Sequence, residues 1–75
     1  MEQLLELLEE IRPDVDFKTE TNLIDDGILD SFDVISTIQE INDAFDIEIQ
    51  PTDIVPQNFN SVSAMWQMIQ RLMEE

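Results

Sequence analysis

The sequence predicts an all-α fold, a small bundle of three to four helices with a long first loop. Three segments carry apolar residues at three- and four-residue spacing, which is the periodicity of amphipathic helices. Hydrophobic residues make up 43% of the chain, so it can bury a core, unlike a disordered acidic segment. Because separate cores need roughly 100 to 200 residues each, we expect residues 1–75 to form a single domain.

The first helix is predicted over residues 2–12, and Pro13 ends it because proline cannot continue a helix. Residues 14–30 lack sustained helical or strand periodicity, so we expect a long loop. Loops of this length inside a compact domain tend to be functional, and scattered apolar residues are expected to pin this one across the helices. The apolar stripe of the first helix consists of Leu4, Leu5, Leu8 and Ile11.

The second helix is predicted to begin at the Asp30-Ser31 pair and is the best defined of the three. Residues 46–49 then alternate between acidic and apolar side chains, as a strand would. The chain offers no convincing partner strand, so we expect an extended connector instead. The apolar stripe of the second helix consists of Val34, Ile38, Ile41 and Phe45.

Two prolines, Pro51 and Pro56, bound a short segment in which residues 52–55 are expected to form a helical turn. Residues 58–60 are expected to form a polar turn around Phe59. This short segment is the candidate for a fourth, minor helix.

The last helix is predicted to begin at Asn60 or Ser61, since both residue types favour helix N-termini. Met68 lies off its main stripe and is the methionine expected to face solvent. The stripe consists of Val62, Met65, Trp66, Ile69, Leu72 and Met73.

The chain has a formal net charge of −15, which excludes some partners and favours others. Such a field repels nucleic acid and anionic lipid headgroups, whereas it attracts basic protein surfaces. No apolar run approaches the roughly 20 residues that span a bilayer, so we expect no membrane insertion. The opening residues lack the basic flank of a secretory signal, and there is no cysteine, so we expect a cytoplasmic protein.

The missing residue types also limit chemistry. The chain has no histidine, cysteine or tyrosine, so the commonest general base and the thiol nucleophile are absent, and we expect no catalytic activity of its own. Residues 22–33 place Gly27 at the sixth position of a calcium-loop register, but Ile24 and Asp33 replace two required ligands. We therefore expect no metal site.

Ser31 stands where the long loop meets the start of the second helix. The unpaired N–H groups and the dipole of a helix N-terminus favour a nearby phosphate group, so Ser31 could carry a phosphodiester without strain. On physical grounds alone, the simpler explanation is that Asp30 or Ser31 caps the helix. Gly27, the only glycine, gives the preceding loop freedom to turn, with a positive φ allowed.

Residues 25–32, Asp-Asp-Gly-Ile-Leu-Asp-Ser-Phe, resemble the modification site of acyl carrier proteins and related peptidyl carriers. Residues 45–49, Phe-Asp-Ile-Glu-Ile, resemble the segment after the second helix of that family, and the order of helices and loops matches over nearly the whole chain. The Gly-Ile-Leu-Asp-Ser stretch is also similar to the site in D-alanyl carriers, which favours a free-standing carrier of specialised cargo.

This resemblance implies that a phosphopantetheinyl transferase moves 4′-phosphopantetheine from coenzyme A onto the hydroxyl of Ser31. The thiol of the attached arm then carries acyl or aminoacyl cargo as a thioester, and Asp30 contributes to recognition by the transferase. The further partners implied are a loading ligase and downstream acyl-transfer enzymes. The pathway (fatty acid, polyketide, peptide or D-alanyl transfer) stays open.

The same resemblance makes the second helix a candidate docking face for basic partner enzymes. Phe32 and Ile35 would supply apolar contacts near the arm, and Asp33, Glu40 and Asp43 would supply charge, with Asp46 and Glu48 beyond them. The alternatives are a solvated helix face and, for Ile35, a place in the core. At the level of the whole protein, the alternative to a carrier is an unmodified acidic helical adaptor, and we expect a monomer in either case.

Overall fold

The computed structural model describes residues 2–74, and within them every regular element is helical. The four α-helices are α1 (Glu2–Ile11), α2 (Ser31–Phe45), α3 (Pro56–Phe59) and α4 (Val62–Glu74), with a single 3-10 turn (Pro51–Asp53) ahead of α3. Helix α1 packs against α2 and α4, and α3 packs against α4. The predicted all-α bundle with its long first loop is confirmed.

One hydrophobic core lies between the helices, and the long loop contributes to it directly. Phe17, Leu23 and Leu29 come from the loop and are buried, which confirms that apolar residues pin the loop across the bundle. The helices and the segment between α2 and α4 supply the remaining buried side chains. These are Leu4, Leu7, Leu8, Ile41, Ile49, Phe59, Val62, Met65, Met68 and Ile69.

Helix α2 ends in a tight turn that leads into the connector. Asp46 takes the left-handed conformation with φ 53°, and its N–H donates to the carbonyl of Asn42. The side-chain oxygen of Asn42 accepts a hydrogen bond from the N–H of Ile49 at 2.9 Å. These bonds hold residues 47–50 extended without a strand partner, as predicted for the connector.

The segment between the two prolines differs in detail from the prediction. The predicted helical turn is present but begins earlier, at Pro51, because proline suits the first position of a helical turn. The predicted polar turn at residues 58–60 is largely α-helix: Pro56 starts α3, and the N–H of Asn60 donates to the Pro56 carbonyl at 2.9 Å. Phe59 is buried there, so core packing stabilises a helix shorter than propensity alone would support.

Helix α4 begins at Val62, slightly later than predicted, because Ser61 caps it. The Ser61 Oγ accepts a hydrogen bond from the Ala64 N–H at 3.1 Å. The buried face is centred on Met65, so Met68 is 1% exposed and Met73 is 56% exposed. The expectations that Met68 faces solvent and that Met73 joins the stripe were therefore wrong.

Two further core residues were not anticipated. Leu7 is buried on α1 beside Leu4 and Leu8, whereas Leu5 and Ile11 from the predicted stripe are only partly buried. Thr37 is fully buried on α2, and its hydroxyl donates to the Asp33 carbonyl at 2.7 Å. That bond one turn back along the helix satisfies the hydroxyl, so threonine can occupy a core position.

Candidate functional site

Asp30, and not Ser31, caps helix α2. Its carboxylate Oδ1 accepts a hydrogen bond from the Asp33 N–H at 2.8 Å, and the Asp33 carboxylate Oδ2 accepts one from the Asp30 N–H at 3.3 Å. This reciprocal pair is a capping box, with aspartate in the place that glutamate usually takes. The question left open by the sequence, which of the two residues caps the helix, is decided in favour of Asp30.

The Ser31 hydroxyl is consequently available for covalent modification. It is the first residue of α2 and is exposed, and no hydrogen bond within residues 2–74 occupies its hydroxyl. The N-terminal N–H groups and the dipole of the 15-residue helix lie beneath it and favour a phosphate group. The site can therefore present an unhindered hydroxyl and accommodate the negative charge of a phosphodiester attached to it.

An apolar groove of about 530 Å³ opens beside Ser31, between α2 and the segment that contains α3. Ser31 and Asp30 lie at its polar end, and its walls are almost entirely aliphatic and aromatic. The methionines of α4 do not line this groove, and Met65 and Met68 are buried in the core instead. The apolar lining consists of Ile24, Leu29, Val34, Ile35, Ile38, Ile54, Val55, Pro56 and Phe59.

The loop before Ser31 turns at Gly27 and is bonded to itself. Gly27 has φ +70°, a conformation that strains residues with a Cβ, although no atom lies within 4 Å of the position that a Cβ would take. Its N–H donates to the Ile24 carbonyl at 3.0 Å, and the Leu29 N–H donates to the Leu23 carbonyl at 3.0 Å. The expected role of Gly27 as a turn residue with positive φ is confirmed.

Asn60 attaches the same loop to the start of α4. Its side-chain oxygen accepts hydrogen bonds from the N–H groups of Ile24 (3.0 Å) and Asp25 (3.1 Å), and its backbone carbonyl accepts one from Leu23 (2.8 Å). Its Nδ2 also donates to the Asp25 carboxylate at 3.2 Å. From the sequence, Asn60 was predicted only as a possible helix start, because its side-chain partners are 35 and 36 residues away.

Arg12 holds the other end of the loop. Its Nη1 donates to the carbonyl of Ile28 at 3.0 Å and to the carboxylate of Asp33 at 2.6 Å. Its Nε and Nη2 donate to the two carboxylate oxygens of Asp14 at 3.0 and 2.9 Å. Sequence reasoning missed this role, and the only available indication was that Arg12 is one of three basic residues in the chain.

These contacts bias the protonation of both partners. The hydrogen bonds that Arg12 donates, first to Asp14 and then to Asp33, raise the pKa of its guanidinium above its ordinary value, so it stays charged. The hydrogen bond from Arg12 in turn lowers the pKa of the Asp14 carboxyl below its usual value of 3.8. The Arg12–Asp14 pair is therefore ionised throughout the neutral and mildly acidic range.

The candidate docking residues on α2 fall into two groups. Phe32 and Ile35 are strongly exposed, at 80% and 52%, and the carboxylates of Glu40 and Asp43 lie on the exposed surface of the helix. Asp33 differs, because its side chain is 16% exposed and its carboxylate is engaged by Arg12 and by the N–H of Asp30. Within residues 2–74 no cluster of acidic side chains has the geometry of a metal site.

Comparison with known proteins identifies the family. The phosphopantetheine attachment site family matches residues 2–69, nearly the whole chain. The chain belongs to that family. It is therefore a phosphopantetheine-bearing carrier, the predicted cofactor is confirmed, and the carrier interpretation is favoured over the adaptor. Carrier proteins of this family work with transferases and ligases.

Named relatives support the same conclusion. The chain is 29% identical to the D-alanyl carrier protein of Lactococcus lactis subsp. cremoris (strain MG1363), over 99% of this chain and 96% of that protein. It is 28% identical, with the same coverage, to the D-alanyl carrier protein of Lactococcus lactis subsp. lactis (strain IL1403). No solved structure gives a significant match.

The residues at the start of α2 fit the family's prosthetic group. An exposed primary hydroxyl on Ser31, free of hydrogen bonds among the described residues, can accept a phosphoryl group, and the helix N-terminus favours its charge. None of the helices within residues 2–74 has the length and apolar character required to cross a bilayer.

Proposed function

We propose that Ser31 is the residue that carries 4′-phosphopantetheine, and that the transferase recognises Asp30 beside it. The observation that carries the proposal is that the Asp30 side chain caps the helix and the Ser31 side chain does not. Asp30 accepts the capping hydrogen bond at 2.8 Å, which leaves the Ser31 hydroxyl exposed and available. In the alternative arrangement, with Ser31 as the cap, the same hydroxyl would be engaged by the helix backbone.

The chemistry asked of Ser31 is a single phosphoryl transfer. Its hydroxyl oxygen forms the new bond to the pantetheine-bearing phosphorus of coenzyme A, while the bond from that phosphorus to the oxygen of the bridging phosphoanhydride breaks. The adenosine bisphosphate portion leaves, and the hydroxyl proton passes to the transferase. The Asp30 carboxylate, fixed by the capping box, can help to hold the magnesium ion that such transfers use.

The bound arm supplies a thiol, which this chain lacks entirely, and that thiol carries the cargo as a thioester. The protein's own part is to present the arm from the rigid start of α2, next to the apolar groove. We propose that it does not catalyse conversion of the cargo, since it has no histidine or cysteine for acid–base or nucleophilic work.

The test of the attachment site is intact-protein mass spectrometry after incubation with coenzyme A, magnesium and a broad-specificity phosphopantetheinyl transferase. Ser31→Ala should lose the phosphopantetheine increment completely. Ser36→Ala, which removes another exposed serine hydroxyl from the same helix, should be modified like the wild type. Labelling of Ser31→Ala at the wild-type level would show that the arm is attached elsewhere.

For the cargo, we propose an aminoacyl group of the D-alanyl type. The support is that the named relatives at 28–29% identity are D-alanyl carrier proteins and that they align over 96% of their length. The phosphopantetheine-loaded protein, incubated with ATP and the D-alanine-activating ligase of a relative, should gain the mass of one alanyl group with D-alanine. Equal loading with L-alanine and D-alanine, or no loading at all, would contradict this assignment.

For partner recognition, we propose a docking surface made of Phe32, Ile35, Glu40 and Asp43. Exposed apolar side chains give contact area near Ser31, and the two carboxylates steer basic surfaces. Arg12 already neutralises the charge of Asp33. Asp33 therefore supports this surface through its place in the capping box and not through its charge.

The docking proposal is tested by reversing charge at two places. Glu40→Lys with Asp43→Lys should slow modification of Ser31 at low salt, and the difference from wild type should shrink as salt rises. Glu9→Lys with Glu10→Lys makes the same change in net charge on the exposed side of α1 and serves as the control. Equal rates for the two double variants would contradict a local docking surface.

We also propose a cytoplasmic monomer. A chain without cysteine fits a reducing compartment such as the cytoplasm, and a monomer leaves α2 open to successive partners. Light scattering coupled to gel filtration should give a mass close to 8.7 kDa.

A further inference from the structure

We propose that Arg12 is a positioning residue for the modification of Ser31, an inference that rests on the attachment site proposed above. Arg12 follows the last residue of α1, and its N–H donates to the Leu8 carbonyl at 2.9 Å, so its backbone is anchored to that helix. Its side chain reaches 16 residues forward to Ile28 and 21 residues forward to Asp33. It therefore joins α1 to both sides of the Asp30-Ser31 junction.

The contacts lead from Arg12 to the reacting residue in two steps. Arg12 Nη1 lies 2.6 Å from Asp33 Oδ2, and that same oxygen accepts the hydrogen bond from the Asp30 N–H. The Asp33 N–H in turn donates to the Asp30 carboxylate. Arg12 thus holds the Asp33 carboxylate, and that carboxylate accepts from the backbone N–H of Asp30, the residue directly before Ser31. The Asp30 side chain is held by the backbone N–H of the same Asp33.

The second acceptor of Nη1 adds a constraint on the loop. The Ile28 carbonyl lies 3.0 Å from Nη1 and belongs to the last turn of the loop, two residues before Asp30. A single nitrogen therefore holds the end of the loop and the start of α2 together. Because both acceptors are partly buried, water competes less effectively for the contact than it would at an open surface.

The guanidinium is itself held in orientation by Asp14. Two parallel hydrogen bonds, 3.0 and 2.9 Å, join the Arg12 Nε and Nη2 to the two oxygens of the Asp14 carboxylate. This two-pronged geometry requires the planar guanidinium, and a lysine ammonium cannot satisfy Asp14, Ile28 and Asp33 in the same way. The arrangement is specific to arginine and not merely to a positive charge.

Replacing Arg12 should disturb the orientation of Asp30 and Ser31 without weakening the docking of the transferase. Without the guanidinium, Asp30 and Ser31 spend less time in the geometry that the transfer needs, so the maximal rate falls. Arg12 contacts none of the four docking residues defined above, so the carrier concentration at half-maximal rate should stay unchanged.

The experiment compares Arg12→Met with Arg71→Met, using the unmodified full-length protein as the transferase substrate. Both variants remove one positive charge and one set of ion pairs, but Arg71 pairs with Asp53, away from the Asp30-Ser31 junction. Initial rates of phosphopantetheine attachment are measured by intact mass over a range of carrier concentrations. We expect kcat to fall at least about tenfold for Arg12→Met with KM within about twofold, and Arg71→Met to match wild type within about twofold in both.

Two further measurements separate positioning from a general loss of stability. Amide hydrogen exchange of residues 28–33 should be faster in Arg12→Met than in Arg71→Met, while the buried core of α4 should exchange alike in the two. Arg12→Lys keeps the charge and the long stem, so it decides the question if Arg12→Met does not fold. Its kcat should lie clearly below wild type at an unchanged KM.

Several results would overturn the inference. These are a kcat for Arg12→Met equal to that of Arg71→Met, a kcat for Arg12→Lys equal to wild type, or an effect on KM alone, which would place Arg12 at the transferase interface. Failure of the attachment site is distinguishable, because in that case wild-type protein would gain no phosphopantetheine on Ser31. If the wild type is labelled on Ser31 and the Arg12 variants are labelled at the same rate, only the positioning role of Arg12 is contradicted.

Discussion

Single side chains on α4 show how burial, and not residue type, decides the effect of a substitution. Met68 is 1% exposed and Met73 is 56% exposed, although both are methionines on the same helix. Methionine is unbranched and fills irregular core space, so truncating a buried one leaves a cavity. Truncating an exposed one removes little contact.

The two methionines therefore give a matched pair. Met68→Ala should lower the free energy of unfolding by about 2 to 5 kcal/mol, because it removes a core side chain in full. Met73→Ala should change the free energy of unfolding by about 0.5 kcal/mol or less, as exposed substitutions do. Urea unfolding followed by circular dichroism measures both, and similar losses for the two variants would contradict the assigned orientation of α4.

A single residue, Asp14, also gives the stability of the protein its clearest expected dependence on pH. The pKa of Asp14 is lowered in the folded protein by its hydrogen bond from Arg12, so its contribution to stability is present above its unfolded pKa. That contribution is lost as the pH falls through the lowered folded pKa, that is, below about pH 4.

We therefore expect Asp14→Asn to be less stable than wild type by a constant amount between about pH 7 and pH 5, and by a vanishing amount at lower pH. Unfolding of both proteins at each pH measures this difference. Asp16→Asn, which removes a carboxylate from the same loop without a contact to Arg12, is the control for the change in net charge. A difference that grows towards acid would have the wrong sign for the contact.

Among the elements, the long first loop is held by polar contacts and by buried apolar side chains. Asn60 attaches the stretch around residues 23–25, and Arg12 attaches Ile28 and the start of α2. Phe17 and Leu29 of the same loop are buried in the core. The loop is thus part of the rigid support of Ser31 and not a flexible connection.

Replacing Asn60 tests this description of the loop. Asn60→Ala should lower the free energy of unfolding by about 1 to 3 kcal/mol, because the N–H groups of Ile24 and Asp25 lose their acceptor. It should also speed amide exchange in residues 23–25. Asn22→Ala, an exposed asparagine on the same loop, should do neither. Unchanged exchange in Asn60→Ala would show that apolar packing alone holds the loop.

For the whole molecule, charge opposes folding. A net charge of −15 is confined within a body of about 31 × 23 × 20 Å, so the carboxylates repel one another across it. At about 0.01 M salt the screening length is about 30 Å, comparable with the molecule, and at about 0.1 M it is about 10 Å. Salt therefore acts on repulsion through the entire protein and not only on neighbouring pairs.

We expect the Tm to rise between these two salt concentrations, and a gain of about 1 kcal/mol corresponds to roughly 4 to 8 °C for a domain of this size. Scanning calorimetry in sodium chloride measures the shift. Tetramethylammonium chloride, whose cation binds carboxylates poorly, should give nearly the same shift if screening is the cause. A Tm that falls with salt would mean that ion pairs outweigh repulsion. A single transition would also support the prediction that residues 1–75 form one domain.

The sequence by itself determined the helices, the loop and the position of Ser31 at the start of α2. Helical periodicity, prolines and capping residues act over a few neighbouring positions, so these features can be predicted before any fold is known. The missing residue types likewise pointed away from catalysis, and the resemblance of residues 25–32 to the modification site of carrier proteins pointed to a carried group.

Only the tertiary structure decided how the site is supported. The choice of Asp30 as the cap, the burial of Met68, and the contacts of Arg12 and Asn60 all depend on how distant segments meet. The Asn60 side chain acts on residues up to 36 positions away, and the Arg12 side chain acts on residues up to 21 positions away. Such contacts leave no periodic signal along the chain, because they follow from the packing of the loop between α1, α2 and α4 and not from local backbone preference.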